Sequence, residues 1–120
     1  MPEVEKMNEA AHFLLSQEDF QCFSKVHTDV SHFRCTLHEA YWVQEGQVLR
    51  FHIRANRFLR GMVRAIVGTL VALGQGKTSL SAFQEIVASG DRSQAGAAAP
   101  PHGLYLSSVR YPESLYKTKQ

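Results

Sequence analysis

Arg57, Arg60 and Arg64 recur at three- and four-residue spacing inside an otherwise apolar run from Asn56 to Gly74. A guanidinium is a permanently charged fork that matches carboxylates and phosphates bidentately. At about 100° per residue, helical periodicity puts Leu59, Met62, Val63, Ile66, Leu70 and Leu73 on one side. The three arginines fall on the other side, together with Gly61 and Gly68. Glycine inside a helix costs about 1 kcal/mol relative to alanine. Two glycines beside three arginines, with no carboxylate among them, predict the close approach of an anionic partner. A core helix with a solvated basic face is the ordinary alternative.

The surrounding charge supports the sharper reading. Net charge is only +2, too mild by itself to establish nucleic-acid binding. Its distribution is uneven. Glu3, Glu5, Glu9, Glu18 and Asp19 cluster early, whereas no Asp or Glu lies between Glu45 and Glu85. That interval holds Arg50, Arg54, Arg57, Arg60, Arg64 and Lys77.

Two separate motifs carry a family resemblance. They are Phe58-Leu59-x-x-Met62-Val63-Arg64-x-Ile66-Val67-Gly68 and Gly103-Leu104-Tyr105-Leu106-x-x-Val109-x-Tyr111-Pro112. In order and separation they resemble the C-terminal half of the tRNA pseudouridine synthase A family. The Ala-rich approach from Ala97 to Pro101 also fits. The resemblance implies isomerisation of uridine to pseudouridine in tRNA, in or near the anticodon stem-loop, without metal or organic cofactor. It makes Arg64 the active-site arginine that pairs with a catalytic Asp. It makes Leu104 the apolar residue that packs on the target uracil. Arg57, Arg60, Arg54 and Lys25 become candidates for phosphate contacts. The family has two α+β halves whose sheets join, with an RNA-binding cleft across the free face, and its bacterial members act as homodimers.

The family's nucleophile sits in an Arg-Thr-Asp-x-Gly motif in the other, N-terminal half. Here only Thr28 and Asp29 match, with His27 for the Arg and Ser31 for the Gly. Asp29 therefore reads as a loop residue. The expectation is a chain that lacks the catalytic Asp, is inactive alone, and depends on the missing N-terminal half. A non-catalytic RNA-binding module is the alternative. An unrelated domain resembling the family by chance is made improbable by two motifs in register.

The elements that must position these residues follow from pattern. At 120 residues the chain is one domain, residues 1–120. Glu3 to Ser16 reads as a helix buried through Val4, Met7, Ala11, Phe13, Leu14 and Leu15. Phe33 to Gln44 is strand-like, and Glu45-Gly46 marks a tight hairpin turn. Val48 to Ala55 alternates, with Leu49, Phe51, Ile53 and Ala55 inward and Arg50, His52 and Arg54 outward. Asn56 is the expected cap of the long helix and Gly74 its stop. A short helix from about Ser81 to Ala88 opens on a Ser81-x-x-Gln84 capping box. Asp91 to Gly103 is a loop, Leu104 to Tyr111 a last strand, and residues 113–120 a frayed tail. The expected fold is α+β, an antiparallel sheet with helices packed on one face.

Other constellations fail. Gly74-Gln75-Gly76-Lys77-Thr78 lacks the upstream glycine of a phosphate loop, that position being Val71, and follows a helix instead of a strand. Cys22, His27, His32, Cys35 and His38 match no zinc spacing. The two cysteines indicate no disulfide, so a reducing cytoplasm is the default. No apolar run approaches membrane-spanning length, and Met1 to Asn8 holds no signal-peptide core.

Overall fold

The computed structural model describes residues 3–24, 33–46 and 48–96, and the backbone of 109–110. Helix α1 spans Val4–Leu14, strands β1 and β2 span Leu37–Glu45 and Val48–Ala55, and helices α2 and α3 span Met62–Gly74 and Leu80–Ser89. A two-residue strand β3, Val109–Arg110, completes the order. The fold is α+β.

The β1–β2 hairpin is antiparallel, from Glu45 opposite Val48 to Leu37 opposite Ala55. A register shift between Leu37 and Glu39 lets Leu37, Ala40 and Trp42 all point into the core. Leu49, Phe51, Ile53 and Ala55 share that face, as alternation requires. Helix α1 packs on it, and α2 and α3 pack in turn on α1, whose buried residues are Met7, Ala10, Ala11 and Leu14. Helix α1 also closes the edge of β1. The Asn8 side chain donates to the Trp42 carbonyl at 3.1 Å and accepts the Trp42 N–H at 2.6 Å. Phe13, Phe23 and Phe83 join α1, α3 and a short 3-10 turn at Gln21–Phe23 into one aromatic cluster.

The opposite sheet face is uncovered among the described residues. Tyr41 stacks on His52 at 4.8 Å and 13°. Glu39 pairs with Arg54, and Glu45 with Arg50. Tyr41, Val43 and Val48 are exposed.

Several boundaries differ from the sequence-based expectation. β1 begins at Leu37 instead of Phe33, and α1 stops at Leu14 instead of Ser16. Helix α3 is capped by Ser79, whose hydroxyl accepts the Ala82 N–H at 3.1 Å, and not by a Ser81 box. Gly74 does not stop α2. It is the last helical residue, and the left-handed position falls at Gly76, φ 83°. β3 runs parallel to β2, Val109 opposite Ile53, where antiparallel pairing throughout was expected. A crossover containing α2 and α3 separates the two strands and returns the chain in the same direction. The rest of the expected last strand, and the tail, lie outside the described residues.

Candidate functional site

The junction between β2 and α2 carries Arg54, Arg57, Arg60 and Arg64. The sheet ends in a two-bond fork. The Asn56 N–H donates to the Thr36 carbonyl at 3.1 Å, and the Thr36 N–H donates to the Asn56 side-chain oxygen at 2.8 Å. Asn56 is thus committed to the sheet and does not cap the helix. The chain then turns through Arg57–Arg60 with Leu59 tucked into the core. The Met62 N–H closes the turn on the Leu59 carbonyl at 3.0 Å. Gly61, at φ 74°, is the cap residue of α2.

This corrects the expected helix over Asn56–Gly74. Arg57 and Arg60 precede α2 and share no helical face with Arg64. Arg64 is the third residue of the helix, not one to two turns in. A helix starting at Asn56 would forfeit the Asn56–Thr36 fork. The left-handed glycine makes the reversal at little steric cost.

The cations stand in different environments. Arg64 is half-buried. Arg57, also half-buried, donates from Nη1 to the Arg34 carbonyl at 3.4 Å. Arg60 is exposed. Arg54 points from the uncovered sheet face and pairs with Glu39 at 3.5 Å. A phosphate at Arg54 would therefore compete with a carboxylate already in place. Lys25 and Leu104 lie outside the described residues, as does Asp29.

One contributor escaped sequence reasoning. The first turn of α2 has no acidic residue, and its cap has no side chain to accept the first amides. The positive end of the helix dipole therefore adds to the arginines. The signal was Gly61 itself, directly after Arg60.

Two acids elsewhere in the chain, Asp19 and Asp91, are locally committed. Asp19 accepts the Gln21 N–H at 2.9 Å. Asp91 accepts the Ser93 N–H and hydroxyl, and these bonds hold its carboxyl below the usual carboxylate range. The sequence profile of tRNA pseudouridine synthases matches residues 10–112.

The chain belongs to the tRNA pseudouridine synthase family.

Among its relatives, tRNA pseudouridine synthase A of Porphyromonas gingivalis is 52% identical over 117 residues, covering 95% of this chain and 46% of that protein. The enzyme of the same name from Parabacteroides distasonis is 47% identical, over 95% of this chain and 45% of that protein. That of Shewanella loihica is 45% identical, over 90% and 41%. The chain spans less than half the length of these synthases.

Elsewhere in the chain, the glycine-rich segment after α2 is a turn between helices. The N–H groups of Gln75, Gly76 and Lys77 donate back to Val71, Leu73 and Ala72. Amides engaged in a helix terminus cannot cradle a phosphate. An open cavity of about 640 Å³ beside it is lined by Lys77, Ser79, Glu85 and Ile86. Both cysteines are free and buried. Burial, reinforced by Asp19 and opposed by Arg92, pushes the Cys22 thiol up to about 12. Burial also raises Cys35, against the pull of Arg57. Neither is a thiolate nucleophile at neutral pH. Among the described residues no helix is long and apolar enough to cross a membrane.

Proposed function

We propose that this chain is the single-domain, C-terminal, arginine-bearing half of a cytoplasmic tRNA pseudouridine synthase that acts in the anticodon stem-loop region of tRNA. Arg64 carries the reading: it is half-buried, in the first turn of a helix that has no acidic residue there, and Arg54, Arg57 and Arg60 precede it closely in the chain. Such a site is built to receive an anion.

The reaction breaks the bond from uracil N1 to the ribose, turns the base over, and joins C5 to the same ribose carbon; C5 then loses its proton, and N1 ends protonated. The target base must leave the stack to be reached. A carboxylate must act at the sugar or base. Arg64 holds that carboxylate ionised and aimed, through charge-assisted hydrogen bonds. The carboxylate comes from the N-terminal half, which the longer relatives have room to contain. Leu104 packs against the uracil. Arg57, Arg60, Arg54 and Lys25 meet phosphates, Arg54 after release from Glu39. No metal or organic cofactor takes part, and the assembled enzyme is a homodimer.

The test joins this chain to the N-terminal half of the Porphyromonas gingivalis relative and assays unmodified tRNA for pseudouridine. The joined enzyme turns over and the chain alone does not. Turnover by the chain alone, abolished by Asp29→Ala, would overturn the assignment of the carboxylate. RNA binding without turnover in the joined protein would favour a non-catalytic binding module.

A further inference from the structure

Thr69 is the one polar residue in the buried stripe of α2, 1% exposed among Ala65, Ile66, Leu70 and Leu73. A valine would fill the same volume without a hydroxyl to satisfy. The hydroxyl is used twice. It donates to the Ala65 carbonyl at 2.8 Å and accepts the Gly96 N–H at 3.0 Å, across 27 residues of chain. Gly96 lies so close that a Cβ on it would stand 3.2 Å from Thr69 Cα and 3.4 Å from its Oγ1. Its other polar group is held as well, since Arg92 Nη1 donates to the Gly96 carbonyl at 3.2 Å. Arg92 is fixed in turn by a 3-10 turn that Asp91 caps.

The contact point matters. Ala65 follows Arg64 directly, so Thr69 ties Gly96 to the first turns of the helix that bears the arginine. Further along the chain, Val109 pairs with Ile53 of β2, just before Arg54 and the junction. In sequence, Leu104 lies between Gly96, which is bonded to α2, and Val109, which is paired with β2.

We propose that Thr69, Gly96 and Arg92 form a positioning clamp that sets where the Leu104 segment departs relative to Arg64. Thr69 is the positioning residue, and the proposal rests on the roles given above to Arg64 and Leu104. It touches neither phosphate nor base. Its loss therefore affects the alignment of the reacting groups and leaves tRNA capture intact. Misplacement of about 1 Å from a change outside the chemistry can cost on the order of 100-fold in rate.

Two measurements test it. In this chain, amide exchange of Gly96 should speed up at least tenfold in Thr69→Val and stay near wild type in Thr69→Ser, with Ile66 and Leu70 unaffected. In the joined enzyme, Thr69→Val should lower kcat by roughly 10- to 100-fold with the KM for tRNA within about twofold, and Thr69→Ser should restore kcat. Normal kcat in an active Thr69→Val enzyme overturns the clamp alone. So does a rise in KM that parallels the fall in kcat, or failure of Thr69→Ser to rescue, because either marks a merely structural hydroxyl. An inactive wild-type joined enzyme overturns the functional reading instead, and the catalytic role of the clamp with it.

Discussion

Arg64 and Arg57 differ by where the backbone begins to wind. Arg64 is held by a helical turn whose neighbours Met62, Ala65 and Ile66 are all buried, which gives its side chain a fixed direction. Arg57 sits in the turn before the helix. In the joined enzyme, Arg64→Ala should lower turnover by about 100- to 1,000-fold, the scale of removing one preorganised charged partner, while tRNA affinity changes little. Arg64→Lys should rescue poorly, because an ammonium lacks the fork. Arg57→Ala should weaken binding and spare turnover at saturating tRNA. Single-turnover rates and filter binding separate the two. Cys22 makes a different residue-scale prediction. Its folded pKa, about 12, lies above the ordinary 9.0. The raised value means that the neutral thiol favours the fold below pH 9, and that this contribution is lost as pH rises through the folded pKa. Thermal unfolding midpoints should therefore fall between about pH 9 and pH 12, and fall less in Cys22→Ala.

Element boundaries are set by single residues that the hydrophobic pattern does not mark. Gly61 starts α2 from a left-handed conformation, which costs a non-glycine residue roughly 1–2 kcal/mol. Gly61→Ala should lower stability by about that amount in urea unfolding. Ser79→Ala should cost about 1 kcal/mol through loss of the α3 cap. Ser81→Ala, on the exposed side of the same helix, should cost far less. That contrast separates the cap found in the structure from the one expected from sequence.

For the whole molecule, charge is segregated more than its total suggests. On the uncovered sheet face, Glu39 and Glu45 neutralise Arg54 and Arg50. The β2–α2 junction gathers Arg57, Arg60 and Arg64 at the start of α2, whose cap carries no side chain. If three or four basic side chains there meet phosphates, tRNA affinity of this chain should fall by about 10- to 100-fold between roughly 50 and 200 mM salt. Binding that ignores salt would remove the junction as the RNA contact. Glu39→Gln should release Arg54 and steepen the salt dependence.

The sequence alone determined the parts of this protein that depend on local periodicity. β2 runs from Val48 to Ala55 as its alternation requires, and the inward face of the hairpin follows. The turn at Gly46, φ 63°, follows from the Glu45-Gly46 signal. Family membership was legible because both motifs are linear. Tertiary structure decided where elements begin and in which sense they pair. Asn56 could have capped a helix, and a bond to Thr36, twenty residues away, claimed it for the sheet. Ala10, outside the apolar set that periodicity picks for α1, is fully buried because α1 lies against β1 there. Thr69 looked like one more position in an apolar helix until Gly96 arrived on it. The direction of β3 depends on the path of two helices between it and β2. Periodicity reports which side of an element is apolar. It carries no information about a hydrogen-bond partner that is distant in the chain, and such partners fixed the start of α2 and thus the place of Arg64.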